Sequence, residues 1–177
     1  MRKILQLGLV CAGIGIIAAA SSCSKPYNSG PYPGQDTTKN SFRGTFTATI
    51  DGEAFSAENK WASDKKDDNG IRTVTISGVM DSKAKDPSTN QSISLSIYDY
   101  KGPGFYPIQF GTAGSYIMLN KGTATSYLAK TGDTLALIQI TNDAGTLDGT
   151  FNFVVAPGGI GESDNHNINN GAFSVPK

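Results

Sequence analysis

Four aromatic side chains fall within the segment 98–106, whose sequence is YDYKGPGFY: Tyr98, Tyr100, Phe105 and Tyr106. The Gly-Pro-Gly sequence between them is typical of a turn, which predicts that the segment is the tip of a hairpin. Aromatic rings that a turn holds rigidly give a large contact area at a low entropy cost, so these four residues are candidate ligand-binding residues. Trp61 is a further candidate for such a platform. The alternative is that the rings close the open end of an apolar core.

His166 is the only histidine, and it lies in the polar sequence SDNHNINN near Glu162 and Asp164. Nucleophilic hydrolysis requires a nucleophile, a base and an orienting group within reach of one another. The chain contains no G-x-S-x-G sequence that would mark a serine nucleophile. We therefore expect His166 to lie in a solvated hairpin loop, assign no catalytic residues and predict that the protein is not an enzyme.

Residues 64–70, DKKDDNG, combine three carboxylates with one amide, which are oxygen ligands of the kind that calcium prefers. Their spacing does not follow the D-x-D-x-D-G pattern of a calcium loop, and Lys65 and Lys66 offset part of the negative charge. A solvated hairpin tip is the preferred interpretation, with calcium binding left open. One histidine and two cysteines supply few ligands for zinc or copper, so no metal or cofactor is predicted.

Cys23 follows a segment with the order of a secretory signal. Arg2 and Lys3 come first, residues 4–20 are apolar apart from one glutamine, and residues 18–22 are small. The sequence Ala-Ser-Ser-Cys at 20–23 resembles the lipobox of bacterial lipoproteins, which implies cleavage before Cys23 and lipidation of its sulfur. The alternative is an uncleaved spanning helix, since about 17 apolar residues is the short limit for crossing a bilayer.

The lipobox resemblance divides the chain into a signal peptide at 1–22, a tether at 23–41 and a domain at 42–177. The tether is rich in proline, glycine and serine, the composition of a flexible linker. A processed lipoprotein carries two or three acyl chains, which together anchor firmly to a membrane. In lipoproteins of this kind an acidic cluster soon after the cysteine favours surface display. None precedes Asp36, so we expect the periplasmic side of the outer membrane.

Residues 42–177 show the alternation of apolar and polar residues that predicts β-strands. The clearest example is the sequence LDGTFNFVV, which places five residues on one inward face: Leu147, Gly149, Phe151, Phe153 and Val155. No window sustains a helical pattern. We predict one all-β domain, an antiparallel β-sandwich of about eight to ten short strands, with a closed or partly open β-barrel as the alternative. Outside residues 1–22 the chain has 13 basic and 15 acidic side chains, which gives no basic excess for nucleic acid.

The sequence ATIDGEAFSA near the start of the domain and LDGTFNFVVAPGG with HNINNGAFSVP at its end resemble a family of uncharacterised, β-rich lipoproteins of Bacteroidetes-type bacteria. The resemblance implies a cell-envelope lipoprotein and brings no catalytic residues. The sequence as a whole favours a lipid-anchored extracytoplasmic binding or accessory domain, whose partner is a glycan or another envelope ligand. A structural or assembly protein of the envelope is the first alternative, and a hydrolase is the second.

Overall fold

The computed structural model describes residues 43–80, 90–109, 111–120, 123–133, 135–157 and 164–177. These residues form eleven β-strands and contain no helix, which confirms the predicted all-β class. The strands are β1 (Thr45–Ile50), β2 (Glu53–Ser56), β3 (Asn59–Lys66), β4 (Arg72–Met80), β5 (Gln91–Tyr98), β6 (Gly104–Pro107), β7 (Thr112–Asn120), β8 (Thr123–Ala129), β9 (Leu137–Asn142), β10 (Thr146–Pro157) and β11 (His166–Pro176). This number is above the predicted eight to ten because it includes two strands of only four residues each, β2 and β6. The predicted signal peptide, Cys23 and the tether lie outside the described residues.

Within the described ranges, no helix is long and apolar enough to cross a membrane.

The strands join in one antiparallel sheet in the order β2-β1-β11-β10-β8-β7-β5-β4-β3, with β9 and β6 off this path. The sheet branches at β10, the longest strand. Residues 148–152 of β10 pair with β9, whereas residues 155–157 pair with β8. β6 then pairs with the other edge of β9. The result is a curled half-barrel, which is compatible with the predicted sandwich and with a partly open barrel.

The two ends of the sheet are joined through a bend between β2 and β3. The Ala57 amide still donates to the Phe46 carbonyl of β1 at 2.9 Å, whereas the next amide, Glu58, donates to the Val79 carbonyl of β4 at 3.0 Å. The chain therefore passes from one end of the sheet to the other within two residues. The buried Lys60 ammonium stabilises this bend by donating to the carbonyls of Ala57 and Glu58, each at 3.2 Å.

The core fills the inside of the curl. The predicted inward face of β10 is confirmed, because Leu147, Gly149, Phe151, Phe153 and Val155 are all buried. The same alternation buries one face of β4 and β5: Val74, Ile76, Gly78, Ile93, Leu95 and Ile97. On β1, Phe46, Ala48 and Ile50 are buried, whereas Gly44, two residues before Phe46 in the same alternation, precedes the strand and is exposed.

Four phenylalanine rings form the centre of the core. Phe151 packs against Phe46, Phe153 and Phe173, with ring centroids 5.3, 5.7 and 6.2 Å away. Gly171 lies directly opposite Phe151 on β11, and a Cβ atom there would approach Cδ2 of Phe151 to 2.5 Å. The glycine therefore makes room for the ring that the strand pattern turns inward.

β11 contains a bulge that shifts its pairing with both neighbours. Phe151 pairs with Gly171 and Phe153 with Ile168, so two residues of β11, Asn169 and Asn170, oppose one residue of β10. Asn170 has a φ of 51°, in the left-handed region that asparagine tolerates better than most residues. The bulge keeps apolar residues facing the core on either side of it.

Candidate functional site

The segment 98–106 connects β5 to β6, and it is not the predicted hairpin tip, because β5 pairs with β4 and β7 whereas β6 pairs with β9. Its four aromatic side chains divide into two pairs. Tyr100 is buried, with 2% of its surface exposed, and Tyr106 is half-buried. Their rings lie 5.5 Å apart, and the Tyr106 hydroxyl donates to the Gly102 carbonyl within the turn. These two rings therefore close one end of the core, as in the alternative interpretation, and Tyr100 offers no face to an external ligand.

Tyr98 and Phe105 are the exposed pair. Tyr98, the last residue of β5, is 47% exposed, and Phe105, in β6, is 69% exposed. An aromatic side chain with this exposure does not contribute the favourable free energy that its burial would give to folding. Of the four predicted ligand-binding residues, Phe105 has the most accessible ring. Trp61, in β3, is half-buried and has interactions with its surroundings.

Phe105 begins a row of outward-facing side chains that crosses five strands. It pairs with Gln139 of β9, which pairs with Thr150 of β10. Thr150 pairs with Ala172 of β11, which pairs with Thr47 of β1. Directly paired residues of antiparallel strands share one face, and the alternate residues of these strands form the core. We call these five residues, Phe105, Gln139, Thr150, Ala172 and Thr47, the outer row.

A shallow, open groove of about 650 Å³ lies where the outer row meets the β11 bulge. Its lining includes Thr150, Asn152, Asn169, Asn170 and Ala172. Apart from Phe151 and Gly171, which also line it, the side chains of this groove are amides, a hydroxyl and a methyl group. Asn152 is fixed in place, because its Nδ2 donates to the Leu135 carbonyl. This groove was not predicted from the sequence, although the Asn-Asn-Gly sequence at 169–171 is a signal for a bulge or turn.

His166 lies at the start of β11 rather than in a solvated loop, which corrects our expectation. Its Nδ1 is 2.6 Å from Oδ2 of Asp51, in the turn between β1 and β2. Oδ1 of Asp51 accepts from the Asn167 amide at 2.8 Å. The imidazole meets the rings of Tyr127 and Tyr116 edge to face, with centroids 4.6 and 5.3 Å away. Register explains this placement, because the pairing of β11 with β1 brings His166 next to the turn that follows β1.

Burial acts to raise the pKa of Asp51, but hydrogen bonds from Asn167 and His166 outweigh it, so the pKa lies below its ordinary value. The ionised carboxylate only accepts hydrogen bonds, so Nδ1 of His166 carries the proton of this pair. Nε2, the atom that a general base would use, is buried and has no hydrogen-bond partner among the described residues. Burial also raises the pKa of the neighbouring Tyr116 to about 12. The arrangement orients the imidazole, but it buries the reactive nitrogen.

A second cluster of charges lies beside Tyr100. Arg72 Nε donates to Asp64 Oδ1 at 2.7 Å, and the guanidinium carbon stands 4.7 Å from the centre of the Tyr100 ring. Lys177 Nζ lies 3.6 Å from Asp64 Oδ2 and 3.7 Å from Asp143 Oδ2. The hydrogen bond from Arg72 lowers the pKa of Asp64. The cluster ties the ends of β3, β4 and β11 to the turn between β9 and β10.

The segment 64–70, in which calcium binding was left open, uses its carboxylates in other ways. Asp64 belongs to β3 and binds Arg72. Asp67 Oδ1 accepts from the amides of Asn69 and Ile71 at 2.9 and 2.8 Å, which stabilises the turn before β4. In the described part of the chain, no three His, Cys, Asp or Glu side chains are grouped so as to hold a metal ion.

No protein-family profile, curated protein or solved structure matches the chain.

Proposed function

We propose that this protein is a lipid-anchored extracytoplasmic binding domain that holds a glycan or another envelope ligand and catalyses no reaction. In this proposal Cys23 carries the lipid, residues 23–41 are the tether, and the domain faces the periplasm from the outer membrane. The proposal includes membership of the uncharacterised lipoprotein family that the sequence resembles. The exposed ring of Phe105 and the polar outer row support the proposal.

The exposure of Phe105 is the observation that carries the proposal. A four-residue strand projects this ring away from the core, although the neighbouring Tyr106 is turned in and held by the turn. Aromatic side chains are enriched at interaction sites, so an exposed phenylalanine ring is a candidate contact for a ligand. The ring also stands next to polar side chains of the outer row, which supply hydrogen-bonding groups for orientation.

The test measures retention of envelope components by the full chain in detergent micelles. Immobilised protein is exposed to an oligosaccharide array and to a detergent extract of bacterial envelopes. We compare the wild type with a Tyr98→Ala and Phe105→Ala double variant and with His166→Ala. The matched control is an Ile117→Ala and Leu128→Ala double variant, which removes two other exposed apolar side chains from β7 and β8.

Ligand retained by the wild type and the control, and lost from the Tyr98 and Phe105 variant at unchanged stability, supports the proposal. Loss caused only by His166→Ala, with an unchanged free energy of unfolding, would mean that the ligand binds near His166 at the start of β11 and not at Phe105. If no version retains any component, the binding role is wrong, and a structural role in the envelope takes its place.

A further inference from the structure

We infer that the ligand is an uncharged oligosaccharide that lies across the strands along the outer row, from Phe105 to the groove at the β11 bulge. This inference rests on the proposed binding function and narrows it to one ligand class and one surface. Neither the groove nor the outer row was predicted from the sequence.

The length and shape of the surface suit a chain of sugar rings. The outer row spans four inter-strand steps from β6 to β1, about 19 Å at the usual strand spacing. Phe105 stands at one end of it, and the groove of about 650 Å³ crosses its middle at Thr150 and Ala172. An exposed ring is a flat apolar surface on which the C–H face of a sugar packs. The groove is open to solvent, which leaves room for further rings.

The bulge supplies hydrogen-bonding groups that the strands themselves lack. It places two consecutive asparagines, Asn169 and Asn170, on the exposed side of β11. Both side chains are exposed and line the groove, and each amide carries two donors and an acceptor. Asn170 departs from strand geometry with a left-handed φ of 51°, and its side chain lies at the groove. Sugar hydroxyls both donate and accept, which matches amide groups.

The absence of charge selects a neutral ligand. The outer row and the described residues that line the groove contain no Asp, Glu, Lys or Arg. Asp148 lies two residues before Thr150 on β10, but its Oδ2 already accepts from Asn142 Nδ2 at 2.8 Å and from Thr146 Oγ1 at 3.2 Å. An acidic oligosaccharide would find no cation here to balance its charge.

The experiment measures binding of two defined probe sets to the full chain in detergent micelles by titration calorimetry. One set contains neutral hexose oligosaccharides, and the other contains oligosaccharides of uronic acids. Phe105→Ala removes the ring, and Ala172→Arg places a long charged side chain in the groove. Their matched controls on β8 are Leu128→Ala, which removes another large exposed apolar side chain, and Ala124→Arg, which changes another exposed alanine.

We expect the wild type to bind members of the neutral set, and Phe105→Ala and Ala172→Arg each to weaken binding about tenfold or more. The controls should bind as the wild type does. Neutral probes that fail to bind, acidic probes that bind better, or binding insensitive to both variants would overturn the inference. If a non-carbohydrate envelope component binds in a way that depends on Phe105, the glycan inference fails and the proposed binding function stands.

Discussion

At the scale of single residues, Phe105 and Phe151 have the same side chain in opposite surroundings. Phe151 is 2% exposed and packs against three other phenylalanines, whereas Phe105 is 69% exposed. We expect Phe151→Ala to lower the free energy of unfolding by about 3–5 kcal/mol, because it leaves a cavity in the core. Phe105→Ala should cost less than about 1 kcal/mol. Urea unfolding followed by tryptophan fluorescence measures both. Equal costs would contradict the assignment of core and binding surface.

Asp64 carries a prediction about acid stability. Its pKa in the folded protein lies below the ordinary value of 3.8 because Arg72 hydrogen-bonds to the ionised form. A lowered carboxyl pKa stabilises the fold above the unfolded pKa, and that contribution is lost as the pH falls through the folded pKa. Asp64→Asn should therefore cost about 1 kcal/mol at pH 7, and the difference from the wild type should shrink towards pH 2.

The control for Asp64 is Asp68→Asn, which changes a carboxylate in the exposed turn of the same hairpin. The measurement is the urea midpoint of each variant between pH 7 and pH 2. A cost at Asp64 that is the same at both pH values would mean that its charge does not act through Arg72.

At the scale of elements, the inward faces were predictable and the bends were not. The sequence LDGTFNFVV fixes its buried face through a local period of two, and all five predicted residues are buried. The break between β2 and β3 depends instead on where the amides of Ala57 and Glu58 find carbonyls on two distant strands. Spacing along the chain does not encode such pairing. The same limit hid the outer row, whose members lie on five different strands.

The left-handed backbone of Asn170 at the β11 bulge allows a direct test of the bulge. Asn170 has a φ of 51°, where glycine is unstrained and a β-branched residue is strongly disfavoured. We expect Asn170→Val to lower the free energy of unfolding by about 1–3 kcal/mol, and Asn170→Gly to leave it nearly unchanged. Asn169→Val, one residue away and at an exposed strand position, is the control. The bulge assignment would be wrong if valine cost the same at both positions.

At the scale of the whole molecule, the core and the proposed binding surface use opposite faces of the same strands. β10 and β11 turn Phe151 and Phe173 inward, and turn Thr150 and Ala172 outward into the groove. Changes on the outer face therefore leave the packing of the phenylalanine cluster intact. This separation lets binding and stability be measured independently. The residue types of the outer face, which is rich in threonine and asparagine, can be read from the sequence. Their arrangement cannot, because it depends on which strands pair.

The last prediction concerns Cys23 and the membrane. The lipobox resemblance implies that its sulfur is acylated, and several acyl chains together hold a protein firmly on a bilayer. In a bacterial host that processes lipoproteins, the wild-type chain should incorporate a fatty-acid analogue and sediment with membranes. Cys23→Ala should lose the label and the sedimentation together. Cys11→Ala, which changes the other cysteine of the chain, should keep both. Label and membrane association that persist in Cys23→Ala would refute the anchor, and with it the proposed orientation of the domain.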